Sequence, residues 1–328
     1  MGDSREQESI RAFGRVPARE VAHAPGKRRQ QAENERSELR VQKHGLGRKS
    51  QETSTALEPS AGKRPDLIAV EYHPESKPMS LAIQLEVCIE SVESARAAQQ
   101  GGAARVEVCS ALVEGGITPS HGLIAMVRRC VTIAIHVLIR PRAGDFCYSG
   151  DEFEVMKRDI TLARQLGANG IALGILESDG TINVARTRAL VELAAPMQVT
   201  FHRAFDFASD PAEALGAVLK TGATRILTSG GALTAEQGSP VLRDLVATAG
   251  SRITVMAAGN IRQNNVSQII RATGVREVHA NLASSVPSRF RQPSPLIPLA
   301  SSPDAGVTRT DVSAGTVAAF LQAASEPA

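Results

Sequence analysis

Between residues 81 and 285 the chain alternates eight short apolar runs with longer segments that have helical features. Several of these segments end at a glycine, and the dipeptide Gly-Ala precedes the next apolar run at Gly102, Gly167 and Gly222. Regular alternation of strands and helices is the pattern of a parallel sheet. Eight strands in about 205 residues predict an α/β fold, a TIM-type (β/α)8 barrel at the small end of its size range.

The apolar runs are rich in Val, Ile and Leu and are bounded by glycine, proline or polar residues. A doubly wound open sheet is the alternative arrangement. No G-x-G-x-x-G sequence follows the first run, and the chain contains no Walker A sequence, so a dinucleotide-binding fold is disfavoured. The predicted strands are 83–88, 105–109, 132–140, 170–173, 198–202, 225–228, 252–257 and 277–280.

Composition divides the chain into three parts. Residues 1–78 hold 15 Lys and Arg against 12 Asp and Glu; the whole chain has 37 and 34, which leaves 22 and 22 for the remainder. Residues 1–80 are polar and lack hydrophobic periodicity, so we expect a disordered extension. An alternative is that Met79 is the natural start of the protein. Residues 81–290 form the predicted barrel, and residues 291–328 are a C-terminal tail with room for one short helix.

Composition also limits the expected cellular location and the expected binding partners of the protein. Four cysteines without CxxC spacing or a signal peptide indicate free thiols in a reducing compartment, so we expect a cytoplasmic protein. No apolar run approaches the ~18 residues that span a bilayer, which argues against a membrane partner. Two Tyr and no Trp leave few stacking platforms for single-stranded nucleic acid. Assembly into a homo-oligomer is compatible with the sequence.

Two successive strands end in the same way. Glu86-Val87-Cys88 is repeated 21 residues later as Glu107-Val108-Cys109 (107 − 86 = 21). Alternate residues of a strand share a face, so each glutamate points to the same side as the cysteine that follows it. Taken singly, one glutamate could be exposed and both cysteines could be core residues. The repeat favours a shared polar pocket at the mouth of the barrel.

Other strand ends carry polar residues as well, and in a TIM barrel the chemistry lies where the strands end. The third strand ends in a pair of arginines, the fifth in a histidine and an arginine, and the eighth in His279 and Asn281. We expect proton transfer from carboxylates and imidazole and anion binding by arginines, although structural ion pairs are the alternative. The predicted catalytic residues are Glu86, Glu107, His202 and Asp206; the predicted substrate-binding residues are Arg140, Arg142, Asp145 and Arg203.

Long motifs in this chain resemble those of the CutC copper homeostasis family. They are Leu85-Glu86-Val87-Cys88, Glu107-Val108-Cys109-Ser110, the segments 114–120, 139–148 and 200–206, and Leu227-Thr228-Ser229-Gly230-Gly231. The resemblance runs from about Gln84 to Phe290. It implies a TIM-type barrel, a cytoplasmic location and a link to copper tolerance, but no defined reaction. The chain departs from the family pattern after the seventh strand and directly after His279, where Ala280 replaces a cysteine.

Two functions follow from these residues. Cu(I) is a soft ion that prefers thiolates, so Cys88 and Cys109 are the candidate metal ligands, with His202 as a possible third. The alternative is an enzyme that acts on a small anionic substrate, for which Arg140, Arg142 and Arg203 would form the anion site. A third class, nucleic-acid or partner binding through the basic extension, is disfavoured by the acidic residues interspersed there.

Overall fold

The computed structural model describes residues 83–287, 289 and 308–325. Eight parallel strands pair in sequence order and close into a barrel, which confirms the predicted (β/α)8 fold. The eighth strand pairs with the first, so residues far apart in sequence become neighbours there. The strands are β1 Gln84–Ile89, β2 Arg105–Val108, β3 Ala134–Leu138, β4 Gly170–Leu173, β5 Gln198–Phe201, β6 Arg225–Thr228, β7 Thr254–Ala257 and β8 Glu277–Ala280.

Helices follow the strands, and most begin at a side-chain cap. Ser149 caps its helix in a capping box with Glu152, and Asp210 caps the helix that Pro211 begins. The helix after β7 begins at Val266 and is preceded by a turn in which the Asn265 side chain accepts a hydrogen bond from the Arg262 amide. The helices are α1 Val92–Gln100, α2 His121–Cys130, α3 Gly150–Gln165, α4 Val184–Ala194, α5 Pro211–Leu219, α6 Ser239–Ala249, α7 Val266–Thr273 and α8 Ala314–Ser325.

The two faces of the barrel sheet differ in chemistry. In β1, the side chains of Leu85, Val87 and Ile89 join the apolar core between the sheet and the helices. Glu86 alternates with them and points into the barrel interior, where it hydrogen-bonds Arg105 of β2 and His279 of β8. The interior of the barrel is therefore built largely from polar and charged side chains, while the apolar core surrounds it.

After β8 the chain forms a small antiparallel pair, β9 Ala283–Pro287 with β10 Thr308–Val312. Helix α8 follows, contacts α7 and α1, and buries Val317 and Phe320 against them. Asp311 of β10 accepts hydrogen bonds of 2.9 Å from the hydroxyls of Ser91 and Ser94. This segment thus closes the ring of helices around the barrel.

The division of the chain at residues 80 and 290 stays a prediction. The extension predicted for residues 1–80 lies outside the described residues. In the described part of the chain, no helix is both long enough and apolar enough to cross a membrane.

Gly101, the C-cap of α1, provides a test of the packing of α8. A Cβ atom at this position would lie 2.4 Å from Val317 Cβ and 2.7 Å from the Ala314 carbonyl oxygen. We expect Gly101→Ala to lower the free energy of unfolding by about 1–3 kcal/mol, because the overpacked contact must displace α8. Urea denaturation of the full chain measures this change.

Gly216→Ala is the matched control. Gly216 lies inside α5, and an added Cβ would meet no atom within 4 Å. The control should be more stable than wild type by up to about 1 kcal/mol, since alanine favours the helix. Equal stability of the two variants would show that α8 does not pack against Gly101.

Candidate functional site

Three titratable side chains meet inside the barrel, near the ends of β2 and β8. Glu86 of β1, Glu107 of β2 and His279 of β8 each offer one atom, and these atoms all lie within 4.8 Å of one another. His279 Nδ1 lies 2.7 Å from Glu86 Oε1, and His279 Nε2 lies 3.9 Å from Glu107 Oε2. We call these three residues the carboxylate–imidazole cluster. Closure of the barrel creates the cluster, because β8 pairs with β1.

Glu86 is the ionised member of the cluster. Its carboxylate is fully buried and accepts hydrogen bonds from Arg105 and His279. Burial alone would raise the pKa of Glu86, but the His279 hydrogen bond and the Arg105 guanidinium hold this pKa well below its usual range. His136 Nδ1 lies 3.5 Å from Glu86 Oε2, and burial lowers the pKa of His136 to about 4.

Glu107 is the opposite case. Its side chain is 7% exposed, and no donor among the described residues makes a hydrogen bond to its carboxylate. Burial and the negative charge of Glu86 raise the pKa of Glu107 to about 7, although His279 and Arg105 oppose this shift. Burial lowers the pKa of His279, but Cys88, Glu86 and Glu107 together raise it well above its usual range.

The two cysteines lie beside this cluster in an apolar environment. Cys88 and Cys109 belong to one small group of buried residues with Leu138 and Ala172, and Leu112 packs against it. Cys88 Sγ donates to the Ala280 carbonyl at 3.7 Å, and Cys109 Sγ donates to the Ile89 carbonyl at 3.5 Å. Burial raises the pKa of the Cys109 thiol far above its usual range. We call these two residues the thiol pair.

Arg140 supports the loops of the rim. Its buried guanidinium donates to the carbonyl oxygens of Glu114 at 2.9 Å, Gly116 at 2.6 Å and Gly144 at 2.8 Å. The guanidinium also lies over the Phe146 ring, 5.2 Å from its centroid. Arg140 therefore joins the loops that follow β2 and β3, and only its Nε is buried without a partner among the described residues.

Arg142 and Asp145 lie further out on the same loop. Arg142 Nη2 lies 3.0 Å from Asp145 Oδ1, and Arg142 Nε lies 2.6 Å from Glu152 Oε1. The Asp145 side chain is 69% exposed. These contacts fix the loop before α3 and leave both residues apart from the carboxylate–imidazole cluster.

His202 is a neutral, buried imidazole. Burial and the positive charge of Arg140 together lower the pKa of His202 to about 3. Its Nδ1 accepts a hydrogen bond of 3.1 Å from the Ala204 amide, so the ring proton is on Nε2. Within the described residues, Nε2 has no hydrogen-bond partner. The ring packs against Phe146 with centroids 5.1 Å apart, so His202 and Arg140 contact the same aromatic ring.

Asp206 organises the loop that follows β6. Its carboxylate accepts hydrogen bonds from the Ser229 amide at 2.9 Å, the Gly231 amide at 3.2 Å and the Thr228 hydroxyl. Arg203 pairs with it at 2.7 Å. The side chain of Asp206 is only 5% exposed, and its carboxylate occupies the anion-binding position that the backbone amides of this loop form.

The predicted site residues thus fall into separate groups. Glu86, Glu107, Cys88 and Cys109 lie together at the mouth. Arg140 and His202 flank Phe146, Arg203 and Asp206 hold the β6 loop, and Arg142 and Asp145 lie outside. Their catalytic, substrate-binding and metal-binding roles stay predictions.

The structure adds His279 to the cluster and places Arg105 and His136 in the barrel interior beside it, and none of the three was assigned to the site from the sequence. His279 has a visible signal, since it stands at the end of the last strand. Arg105 and His136 have none, because a polar residue inside a short strand does not reveal which face it occupies.

Comparison with known proteins agrees with this architecture. The CutC family model matches residues 83–284. A CutC family protein of Chromobacterium violaceum is 45% identical over 239 residues, covering 73% of this chain and 97% of that protein. The copper homeostasis protein cutC homolog of Mus musculus is 47% identical over 212 residues, covering 64% of this chain and 78% of that protein.

A solved structure gives the same result. A crystal structure described as that of a copper homeostasis protein CutC of Streptococcus agalactiae matches with a TM-score of 0.58 at 31% identity. The match covers 60% of this chain and 97% of that one. The family model spans more than half of the chain, from β1 to β9, and the motifs at the strand ends lie within it. This chain therefore belongs to the CutC family.

Proposed function

We propose that this protein binds Cu(I) through Cys88 and Cys109 at the mouth of the barrel. The observation that carries the proposal is the thiol pair itself: both cysteines are buried in one apolar group at the ends of neighbouring strands. Two thiolates suit a soft, low-coordinate ion, and an apolar shell keeps water and competing oxygen ligands away.

The environment of the two thiols supports a site in which Cu(I) replaces the thiol protons. Each thiol donates a long hydrogen bond to a backbone carbonyl, and Cys88 also contacts the His279 side chain, so no short hydrogen bond to the backbone is lost when the thiols are deprotonated. Because burial raises the pKa of Cys109, the thiol is protonated in the metal-free protein, and Cu(I) must displace that proton. Affinity therefore increases with pH.

The relatives support the copper link, since the mouse protein is named for copper homeostasis. All four cysteines are free, which suits a reducing compartment where Cu(I) is the stable copper state. A cytoplasmic location is thus part of the proposal.

A competition titration against a Cu(I) chelator, under reducing conditions and on the full chain, tests the ligands. We expect the variant with Cys88→Ser and Cys109→Ser to bind Cu(I) at least about 100-fold more weakly than wild type, because serine offers no soft donor. Wild-type affinity should rise about tenfold per pH unit for each proton released.

Cys147→Ser is the matched control, since Cys147 is exposed and lies outside the thiol pair. It should bind Cu(I) as wild type does. Equal affinities of wild type and the double variant would refute the proposal.

A separate observation favours a second function, proton transfer on a small anionic substrate. Glu107 is a buried carboxyl with a pKa of about 7, close to the value that a general base needs at neutral pH. The three rim arginines all hold loops, and Arg140 Nε, buried without a partner among the described residues, would have to become accessible to meet an anion. An enzyme would place its substrate between Glu107 and this edge of the rim.

The pH dependence of stability tests the state of Glu107. Its pKa of about 7 in the folded protein exceeds its usual value of 4.5, so folding favours the protonated form and stability falls as the pH rises from 4.5 to 7. Glu107→Gln removes this loss of stability, because glutamine does not ionise. Above pH 7 we expect the variant to be more stable than wild type by roughly 3 kcal/mol, and below pH 4.5 the difference should vanish.

Urea denaturation at several pH values, with a chelator present, measures this difference. Glu114→Gln, which removes one acidic group from an exposed position on the same rim, is the control. A stability gap between Glu107→Gln and wild type that does not change with pH would contradict the assignment of Glu107 as a desolvated carboxyl.

A further inference from the structure

We propose that the carboxylate–imidazole cluster is a second metal site, adjacent to the thiol pair through the contact of His279 with Cys88, for a divalent first-row transition ion. In this site Glu107 and His279 Nε2 bind the ion directly, and Glu86 orients His279. The inference does not depend on Cu(I) binding, because it uses different side chains and a different class of ion.

His279 is already oriented as a metal ligand. Its Nδ1 bonds to Glu86 Oε1 at 2.7 Å, which leaves Nε2 on the side of Glu107, 3.9 Å from Oε2. Histidines that bind metals nearly always donate their other ring N–H to a carboxylate or carbonyl, and this second contact fixes the ring. Glu86 is itself fixed by Arg105, so the arrangement exists before any ion enters.

The Glu107 carboxylate has no hydrogen-bond donor among the described residues. It is more than nine-tenths buried. A buried carboxylate without a donor loses its hydration without compensation. Its nearest positive group is the His279 ring, with Glu107 Oε2 and His279 Nε2 separated by 3.9 Å. This gap is too long for a hydrogen bond and is about twice a Zn–N or Zn–O bond of ~2.0–2.2 Å.

The arginines and glutamates around the cluster neutralise one another. Arg105 bonds to both Glu86 and Glu277, and Arg225 bonds to Glu277 at 2.7 Å. Two carboxylates and two guanidinium groups balance in this network. Among the described residues, Glu107 is therefore left with no ion pair shorter than the 3.9 Å to His279 Nε2. A divalent ion would neutralise Glu107 and replace the proton on His279 Nε2.

The ligand atoms indicate the class of ion. One imidazole nitrogen with carboxylate oxygen suits Zn²⁺, Mn²⁺ or Fe²⁺, whereas Mg²⁺ and Ca²⁺ prefer sites built entirely from oxygen. Cu(I) prefers the soft thiolates of the thiol pair, whereas a divalent ion suits the nitrogen and oxygen ligands of the carboxylate–imidazole cluster.

Calorimetric titration of the chelator-stripped full chain with Zn²⁺, in a thiol-free reductant, tests the site. We expect one equivalent to bind to wild type and Mg²⁺ not to compete. Glu107→Gln and His279→Gln should each weaken Zn²⁺ binding by at least about 100-fold. Glu86→Gln should weaken it by about 10- to 100-fold, the usual effect of losing the partner of a metal-binding histidine.

Two controls separate this site from its surroundings. Glu114→Gln, which removes a charge from an exposed rim position, should leave the Zn²⁺ affinity unchanged. The double variant with Cys88→Ser and Cys109→Ser should keep the Zn²⁺ affinity within about threefold, even where it has lost Cu(I). Loss of Zn²⁺ binding in that double variant would assign the ion to the thiols and overturn the proposal.

A measurement on wild type covers the case in which a variant fails to fold. Co²⁺ bound by imidazole and carboxylate gives visible ligand-field bands without a thiolate-to-metal charge-transfer band in the near ultraviolet. We expect that spectrum, and its bleaching by one equivalent of Zn²⁺. A thiolate charge-transfer band, or no saturable binding of either ion, would refute the second site.

Discussion

The ion-pair network inside the barrel is the interaction on which the mouth depends. Arg105 lies between Glu86 and Glu277, and Arg225 continues the network from Glu277. Many barrels fill this space with branched apolar residues, whereas this barrel places a charged network there beside the apolar side chains of Leu227 and Met256. Buried charges are stable only when they are matched, so removing one member would leave another uncompensated. The network therefore holds Glu86 in place, and Glu86 in turn orients His279.

The arginines of the rim act in a related way. Arg140 bonds to three backbone carbonyls from two loops, and Arg203 pairs with Asp206, which gathers the amides of a third loop. Each cation thereby fixes irregular backbone that would otherwise lack partners. The soft thiol pair and the harder carboxylate–imidazole cluster accordingly lie side by side, and all of their residues except Cys109 belong to strands.

Sequence reasoning located the mouth but not all of its members. The repeat of Glu86 and Cys88 in Glu107 and Cys109 was visible because alternate residues of a strand share a face. His202 had the same sequence signal as His279, since both stand at strand ends. In the structure His202 packs against Phe146, whereas His279 meets Glu86. No local pattern distinguishes the two histidines, because the difference lies in which strands become neighbours.

The amino-acid sequence by itself determined the (β/α)8 alternation, the strand ends as the functional edge, and the family through its motifs. These depend on periodicity and local chemistry, which a linear chain displays. Only the tertiary structure decided which polar residues meet. Pairing of β8 with β1 brings His279 against Glu86 across 193 positions, and β10 with α8 returns to cover α1. Such contacts follow from the closure and register of the barrel, and no property of either segment alone specifies them.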